Sequence, residues 1–228
     1  MGALNNIELI RQLLKFEEGK SDLIYFIQIL LRKKDGNILS HGGNNIDRCL
    51  KYYTVDSLEN YDKVAESVIK HCEFEKARAY IHLNPRSKIT TMVRMIQDLS
   101  NSLVTKQYDN AKNCHASMLG RYMAPDISKT WIVDIDDKHI SALDHFTIII
   151  NNVAPVADSK IIATIPTKQG YHLITTPFDV ATFRKLSAPD ESVFKKPDIH
   201  KDNPTVLYIP ESIMENSEKI VKNSEKSE

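Results

Sequence analysis

Three cysteines in 228 residues, Cys49, Cys72 and Cys114, are too few and too scattered to organise a fold. None forms a Cys-x-x-Cys pair and their number is odd, so neither a structural zinc site nor a disulfide framework is indicated. A reducing, cytoplasmic setting is the expectation. Charge of one sign is also lacking, because 30 Lys and Arg cancel 30 Asp and Glu. No overall field pulls the chain towards nucleic acid or membrane, so any nucleic-acid site must be a local patch. Long apolar runs are missing too. The longest, such as Leu23 to Leu31, falls far short of a bilayer span. The opening MGALNNIELIRQLL carries charge inside its apolar pattern. It lacks a signal-peptide core and the sixth-position Ser or Thr of a myristoylation signal. No P-loop is present, so duplex unwinding would fall to a separate helicase.

What is there is the composition of a soluble globular protein, 42% hydrophobic and 26% charged. The length suits one large domain or two small lobes sharing a core. Helical spacing of apolar residues runs from Asn6 to Phe16, Leu58 to Cys72 and Ile89 to Leu103. Asp22 to Leu31 reads as a strand from its β-branched and aromatic content. Gly42-Gly43-Asn44 marks a loop. Ala77 to Leu83 alternates Arg78, Tyr80 and His82 against Ala79, Ile81 and Leu83, and Asn84-Pro85 ends that strand. Val104 to Ser128 mixes a helix with a connecting loop. A helix is predicted around Ile140 to Asn151, and a hairpin over Ser159 to Thr176 turns at Pro166 to Gly170. A short helix follows over Pro177 to Leu186, with Asp179 as its cap. Two short strands surround Asn203-Pro204 between Asp198 and Ile209. Strands and helices intermix, so the fold class is α+β. A Ser, Asn, Lys and Glu-rich tail over 213–228 reads as disordered.

The chemistry gathers around Trp131-Ile-Val-Asp-Ile-Asp-Asp137. Ile132, Val133 and Ile135 form a buried strand, and side chains two apart share a face, so Asp134 and Asp136 point together. Adjacent carboxylates repel, and a hard divalent cation such as Mg²⁺ or Mn²⁺ relieves the repulsion. A strand running out into a solvated acidic turn is the plain alternative. Two further motifs follow in order. Pro166-Thr-Lys-Gln-Gly-Tyr-His172 puts a histidine just past a turn, and Asp198-Ile-His200 leads through Asn203-Pro204 into Val206-Leu-Tyr-Ile-Pro-Glu-Ser212.

These three motifs, over roughly Thr130 to Ser212, resemble the archaeo-eukaryotic primase superfamily, in particular the primase-polymerases of plasmids and phages. That family carries an acidic hydrophobic-Asp-x-Asp strand, then a small-x-His motif, then a hydrophobic-Asp strand. The resemblance implies one catalytic domain over 1–212. An N-terminal α/β module of about 1–125 would pack against an RRM-like antiparallel module of about 126–212. It implies a nucleotidyltransferase that adds nucleotides to a 3′-hydroxyl on a single-stranded or primed DNA template, using nucleoside triphosphates and Mg²⁺ or Mn²⁺. Asp134, Asp136 and Asp198 would be the metal carboxylates, with Asp202 a competitor for the third place. His172 would meet the triphosphate, with Gly170 as the small residue of its motif, and Lys168 could add a cation. His200 stands where the family often has arginine, and Asn203-Pro204 replaces its paired glycines.

A template surface could come from Arg32-Lys33-Lys34 with Arg78, Arg86, Lys88 and Arg94, which neutralise phosphates without reading sequence. Tyr80 and His82 share a strand face with Arg78 and could stack a base. A solvated strand face is the alternative. Three other readings stand beside the primase. A HAD-type phosphatase also opens on a DxD strand, but Asp137-Lys138 and the absence of a late paired-acid motif fit it poorly. A glycosyltransferase DxD site would leave His172 and Asp198 idle. An inactive nucleic-acid-binding module could keep the fold alone.

Overall fold

Two antiparallel sheets carry the chain, one of six strands and one of four. The computed structural model describes residues 2–16, 22–35, 47–109, 111, 114, 128–188, 194–202 and 204–215. The Gly42-Gly43-Asn44 loop, most of 104–128 and the polar tail beyond 215 lie outside them. Among the described residues no helix is long and apolar enough to cross a membrane.

The first sheet runs β1 (Leu4–Asn5), β10 (Thr205–Ile209), β4 (Arg78–Ile81), β2 (Leu23–Leu31) and β3 (Arg48–Val55), and β5 (Arg86–Ser87) pairs with β2. The period-two pattern of β4 sorts its residues as the sequence implies. Ala79, Ile81 and Leu83 enter the core with Tyr25, Ile27 and Ile29 of β2. Two helices cover that face, α1 (Ile7–Arg11) and α2 (Leu58–Glu75), through Ile10, Tyr61, Val68 and Cys72. Each large apolar side chain buried here contributes on the order of 1.5–3 kcal/mol. Ser57 starts α2 by accepting the Asn60 amide, and Lys76 ends it in the left-handed region at φ 50°. The first helix stops at Arg11, short of its apolar pattern over Asn6 to Phe16, and the Leu13 and Leu14 amides bond back three residues, to the Ile10 and Arg11 carbonyls. The sequence gives no sign of β3. A register shift between Ile29 and Leu30 breaks its pairing with β2, so apolar and polar residues do not alternate cleanly along it.

The second sheet is built from β6 (Trp131–Ile135), β7 (Ile161–Pro166), β8 (Tyr171–Thr175) and β9 (Asp198–His200). Helix α3 (Lys88–Val104) follows β5 and matches the spacing over Ile89 to Leu103, helix α4 (Ile140–Asn152) connects β6 to β7, and α5 (Val180–Ser187) connects β8 to β9. The chain order β-α-β-β-α-β with spatial order β7-β8-β6-β9 is the split βαβ arrangement. Val133 and Ile135 point to the helical side, where they meet Ala142, Phe146 and Ile150 of α4 and Phe183 of α5. Ile132, Ile165 and Ile174 point the other way and join the core of the first sheet. Asp179 caps α5 by accepting the amides of Ala181 and Thr182. The buried Lys160 closes α4, donating to the carbonyls of Ile150, Asn151 and Val153. That is the favourable end of a helix for a cation.

The two strands around Asn203-Pro204 do not stay together. β9 completes the second sheet, whereas β10 enters the first between β1 and β4. The chain therefore returns to its N-terminal half after the third motif. A polar knot fastens the crossing. Asn84 donates to the Thr130 carbonyl at 2.9 Å and to Asp202 Oδ1 at 3.1 Å, and accepts the Thr130 amide at 2.8 Å. Arg86, fully enclosed, donates to Asp202 Oδ2 at 2.8 Å and lies over the Phe26 ring.

His82 sits in the same knot, its ring stacked 4.2 Å from Phe26. Burial first, and the nearby Arg86 charge second, pull its pKa down to about 4. The folded state thus holds His82 neutral, while the unfolded chain takes a proton near pH 6.5. Stability from this group is full above pH 6.5 and is lost as pH falls through about 4. Urea unfolding midpoints of the wild type should decline over that window, and His82→Gln should show a shallower decline.

Candidate active site

In the second sheet Asp134 is the Cα partner of His172 on β8 and of Asp198 on β9. Directly opposed residues on neighbouring strands project from the same face. The three motif residues therefore form a row across three strands, with Asp134 in the middle. Like charges directly opposite each other are destabilising, so the Asp134–Asp198 pair calls for a cation. His172 Nε2 lies 3.5 Å from Asp134 Oδ1, and its Nδ1 is 2.8 Å from the buried Thr205 hydroxyl of β10. That second contact fixes the ring between the two sheets. Asp136, just past the strand, accepts from Lys195 Nζ at 2.5 Å.

Asp134, Asp136, His172 and His200 form one side of a cleft of about 340 Å³. Arg32, Arg78 and Tyr80 of the first sheet form the other, and Thr167 and Lys168 stand on the turn between β7 and β8. The cations are held by carboxylates. Asp35, in the 3-10 turn after β2, accepts both Nε and Nη2 of Arg78 and lies 3.7 Å from Lys168 Nζ. Lys168 also donates to the Ile213 carbonyl at 2.6 Å. Arg32 donates to Asp47 at 3.0 Å and to the Tyr80 hydroxyl at 3.2 Å. One buried carboxylate thus holds two buried cations beside the cleft.

Among the described residues no three His, Cys, Asp or Glu side chains stand close enough to cage a metal by themselves. A cage is not what Mg²⁺ usually uses. It binds one or two carboxylates and completes its shell with water and substrate phosphates. The donor set fits that pattern. Asp134 and Asp136 are part-exposed hard-oxygen groups on one face, and a lysine ammonium already lies against Asp136. Asp198 is exposed at the outer strand and outside the cleft lining.

Several positions singled out in the sequence have different work. Gly170 is not a contact in the cleft. A Cβ there would stand 1.9 Å from the Ile135 carbonyl oxygen and 2.7 Å from the Asp137 amide. Its lack of a side chain lets the β7–β8 turn close on the end of the acidic strand. Arg86 cannot present itself to a nucleic-acid backbone, because its guanidinium is enclosed and bound to Asp202. The same pair ties Asp202 into the knot, whereas Asp198 stands in register with Asp134. His82 is buried against Phe26 and cannot stack a base. Lys33 is exposed, Lys88 pairs with Asp56 at 3.1 Å, and Arg94 donates to Gln97. Arg32 and Arg78 of the basic group line the cleft.

The sequence reading missed Asp35, Asn84, Thr205 and Lys195 as parts of the site or its frame. Asp35 sits in a Lys-Asp-Gly string that looks like any turn. Lys195, in Phe194-Lys-Lys-Pro-Asp198, did carry a signal, being a basic pair immediately ahead of the third motif.

Gly170→Ala should displace the turn from the acidic strand and cost roughly 3 kcal/mol, as over-packing against backbone does, read by urea unfolding. Asp35→Asn should cost roughly 3–5 kcal/mol in the same measurement, because it leaves Arg78 and Lys168 without their shared buried counter-charge.

No family model, curated protein or solved structure matches the chain.

Proposed function

We propose that the protein is a metal-dependent nucleotidyltransferase, a DNA primase or primase-polymerase that adds nucleotides to a 3′-hydroxyl on a DNA template. The observation that carries the reading is the in-register row of Asp198, Asp134 and His172, of which Asp134 and His172 share one cleft with Arg32, Arg78 and Lys168. Among the described residues, Arg32, Arg78 and Lys168 line that cleft with Asp47, Asp134 and Asp136. A polyanion alone would be repelled by the acidic side, and a bare cation by the basic one. A ligand that carries both charges, a metal-complexed triphosphate, matches the two sides together. The cleft volume lies within the range of small-molecule sites.

Asp134 and Asp136 would hold Mg²⁺ or Mn²⁺, which neutralises the triphosphate and favours ionisation of the attacking hydroxyl. The remaining work belongs to the chain. Thr205 orients His172 so that Nε2 faces the acidic side, where it can donate to a phosphate oxygen. Asp35 holds Arg78 and Lys168 as fixed positive charge, so they need not reorganise when a polyphosphate enters. Arg32, half-exposed at the rim, can follow the template or triphosphate backbone. Replication of a phage, plasmid or other mobile element is the setting that the three motifs suggest. A separate helicase would open the duplex.

The test is incubation with single-stranded or primed template, labelled nucleotides and Mg²⁺ or Mn²⁺. Wild type should form product, and Asp134→Asn should lower it by about 100-fold or more, the several kcal/mol that a bound metal contributes. His172→Ala should lower it without loss of metal binding. Absence of product with either metal and a supplied primer sinks the reading. Binding of template without synthesis would then mark a nucleic-acid-binding module, and phosphate release from small phosphoesters would mark a phosphatase.

A further inference from the structure

Two of the cation–carboxylate contacts beside the cleft, Arg78 with Asp35 and Lys195 with Asp136, differ in kind. Arg78 and Asp35 meet with side chains 5% and 1% exposed, a pair closed off from solvent. Lys195 and Asp136 meet with side chains 65% and 46% exposed. The first is a fixed part of the fold. The second is an ion pair in water, of the sort that adds little stability and exchanges readily.

Its position is nonetheless determined. Phe194 packs against α4, with ring centroids 5.1 Å from His145 and 6.2 Å from Phe146. Pro197 is buried, and Asp198 then enters β9. The backbone is therefore anchored on both sides of Lys195, and its side chain reaches Asp136 Oδ2 at 2.5 Å. Asp134 and Asp198 act on the same ammonium through space, and the three carboxylates together hold its pKa above the ordinary lysine value. Lys195 is thus a monovalent cation held where all three carboxylates act on it, Asp136 by direct contact.

We propose that Lys195 is a built-in stand-in for the divalent cation, occupying the Asp136 side of the acidic face until metal displaces it. The inference rests on the reading of Asp134 and Asp136 as metal carboxylates. It adds that metal entry is an exchange, in which Asp136 gives up an ammonium and takes a metal ion while Lys195 swings into solvent. The exchange keeps the Asp134–Asp198 repulsion compensated in both states. It also sets a threshold, because the ion must outcompete a tethered cation at high local concentration.

Mn²⁺ titration followed by the paramagnetic resonance of the free aqua ion, without nucleotide or template, tests this. Lys195→Met should bind Mn²⁺ roughly fivefold more tightly than wild type, the upper range for an exposed ion pair. Lys196→Met, which removes the same charge one residue away, should leave the affinity at the wild-type value. Equal affinity in wild type and Lys195→Met, weaker binding by Lys195→Met, or an equal gain in both lysine variants overturns the proposal while the metal reading stands. Failure of wild type and Lys195→Met alike to bind Mn²⁺ overturns both, as does undiminished binding by Asp134→Asn plus Asp136→Asn. Thermal unfolding of each variant confirms that folded proteins are compared.

Discussion

The constraint on which the site depends is the register of β6 between its two neighbours. Asp134 can meet His172 on one side and Asp198 on the other only while all three strands keep their present alignment. A slip of one residue would turn every side chain of β6 to the opposite face. Asp134 would then enter the helical core, and Val133 and Ile135 would be exposed in the cleft. Three features oppose that slip. Val133 and Ile135 are locked among Ala142, Phe146 and Leu173. Thr130 is tied to Asn84 just before the strand begins. Gly170 lies so close to the Ile135 carbonyl that the turn fits in one position only.

The same register would be useless without the crossing of β10 into the first sheet. Thr205, its first residue, holds His172 from the far sheet, and Val206 lines the cleft. Buried charge pairs fasten this junction, Arg86 with Asp202 on one side and Arg78 with Asp35 and Lys168 on the other. Such pairs add little net stability compared with apolar packing, yet losing one partner is expensive. Their effect is to make one arrangement of the two sheets far better than its neighbours. That rigidity is what a preorganised cleft needs.

Much of this was legible in the sequence, for a physical reason that also marks its limit. Period-two and helical spacing report burial directly and made β4 and α2 readable, while β-branched and aromatic content marked β2 and β6, and turn residues marked the β7–β8 hairpin. The Asp134, Asp136 and His172 constellation was legible because its members stand on those strongly patterned elements. Strand β3 was not, since a bulge disturbs its pattern. The polar frame was illegible for a different reason. Asp35, Asn84 and Asp202 look like turn residues, and they become structural only through partners far along the chain, such as Asp202 to Arg86. Arg86 shows the same limit from the other side. An arginine in a basic cluster reads as surface until the fold closes over it.

The distribution of charge in the cleft carries the last step. Arg78 and Lys168, fixed by the buried Asp35, line one side, and the acidic row is compensated by a lysine that solvent can reach. Fixed charge suits a partner whose charge never changes, such as a polyphosphate. Exchangeable charge suits a partner that comes and goes, such as a metal ion arriving with its nucleotide. If both walls were rigidly paired, the cleft would be a closed salt bridge with nothing to offer a ligand. If neither were, the carboxylates would repel one another and the strand ends would splay. The division of labour between Asp35 and Lys195 avoids both failures, one carboxylate holding its cations out of water and the other side meeting its cation in water.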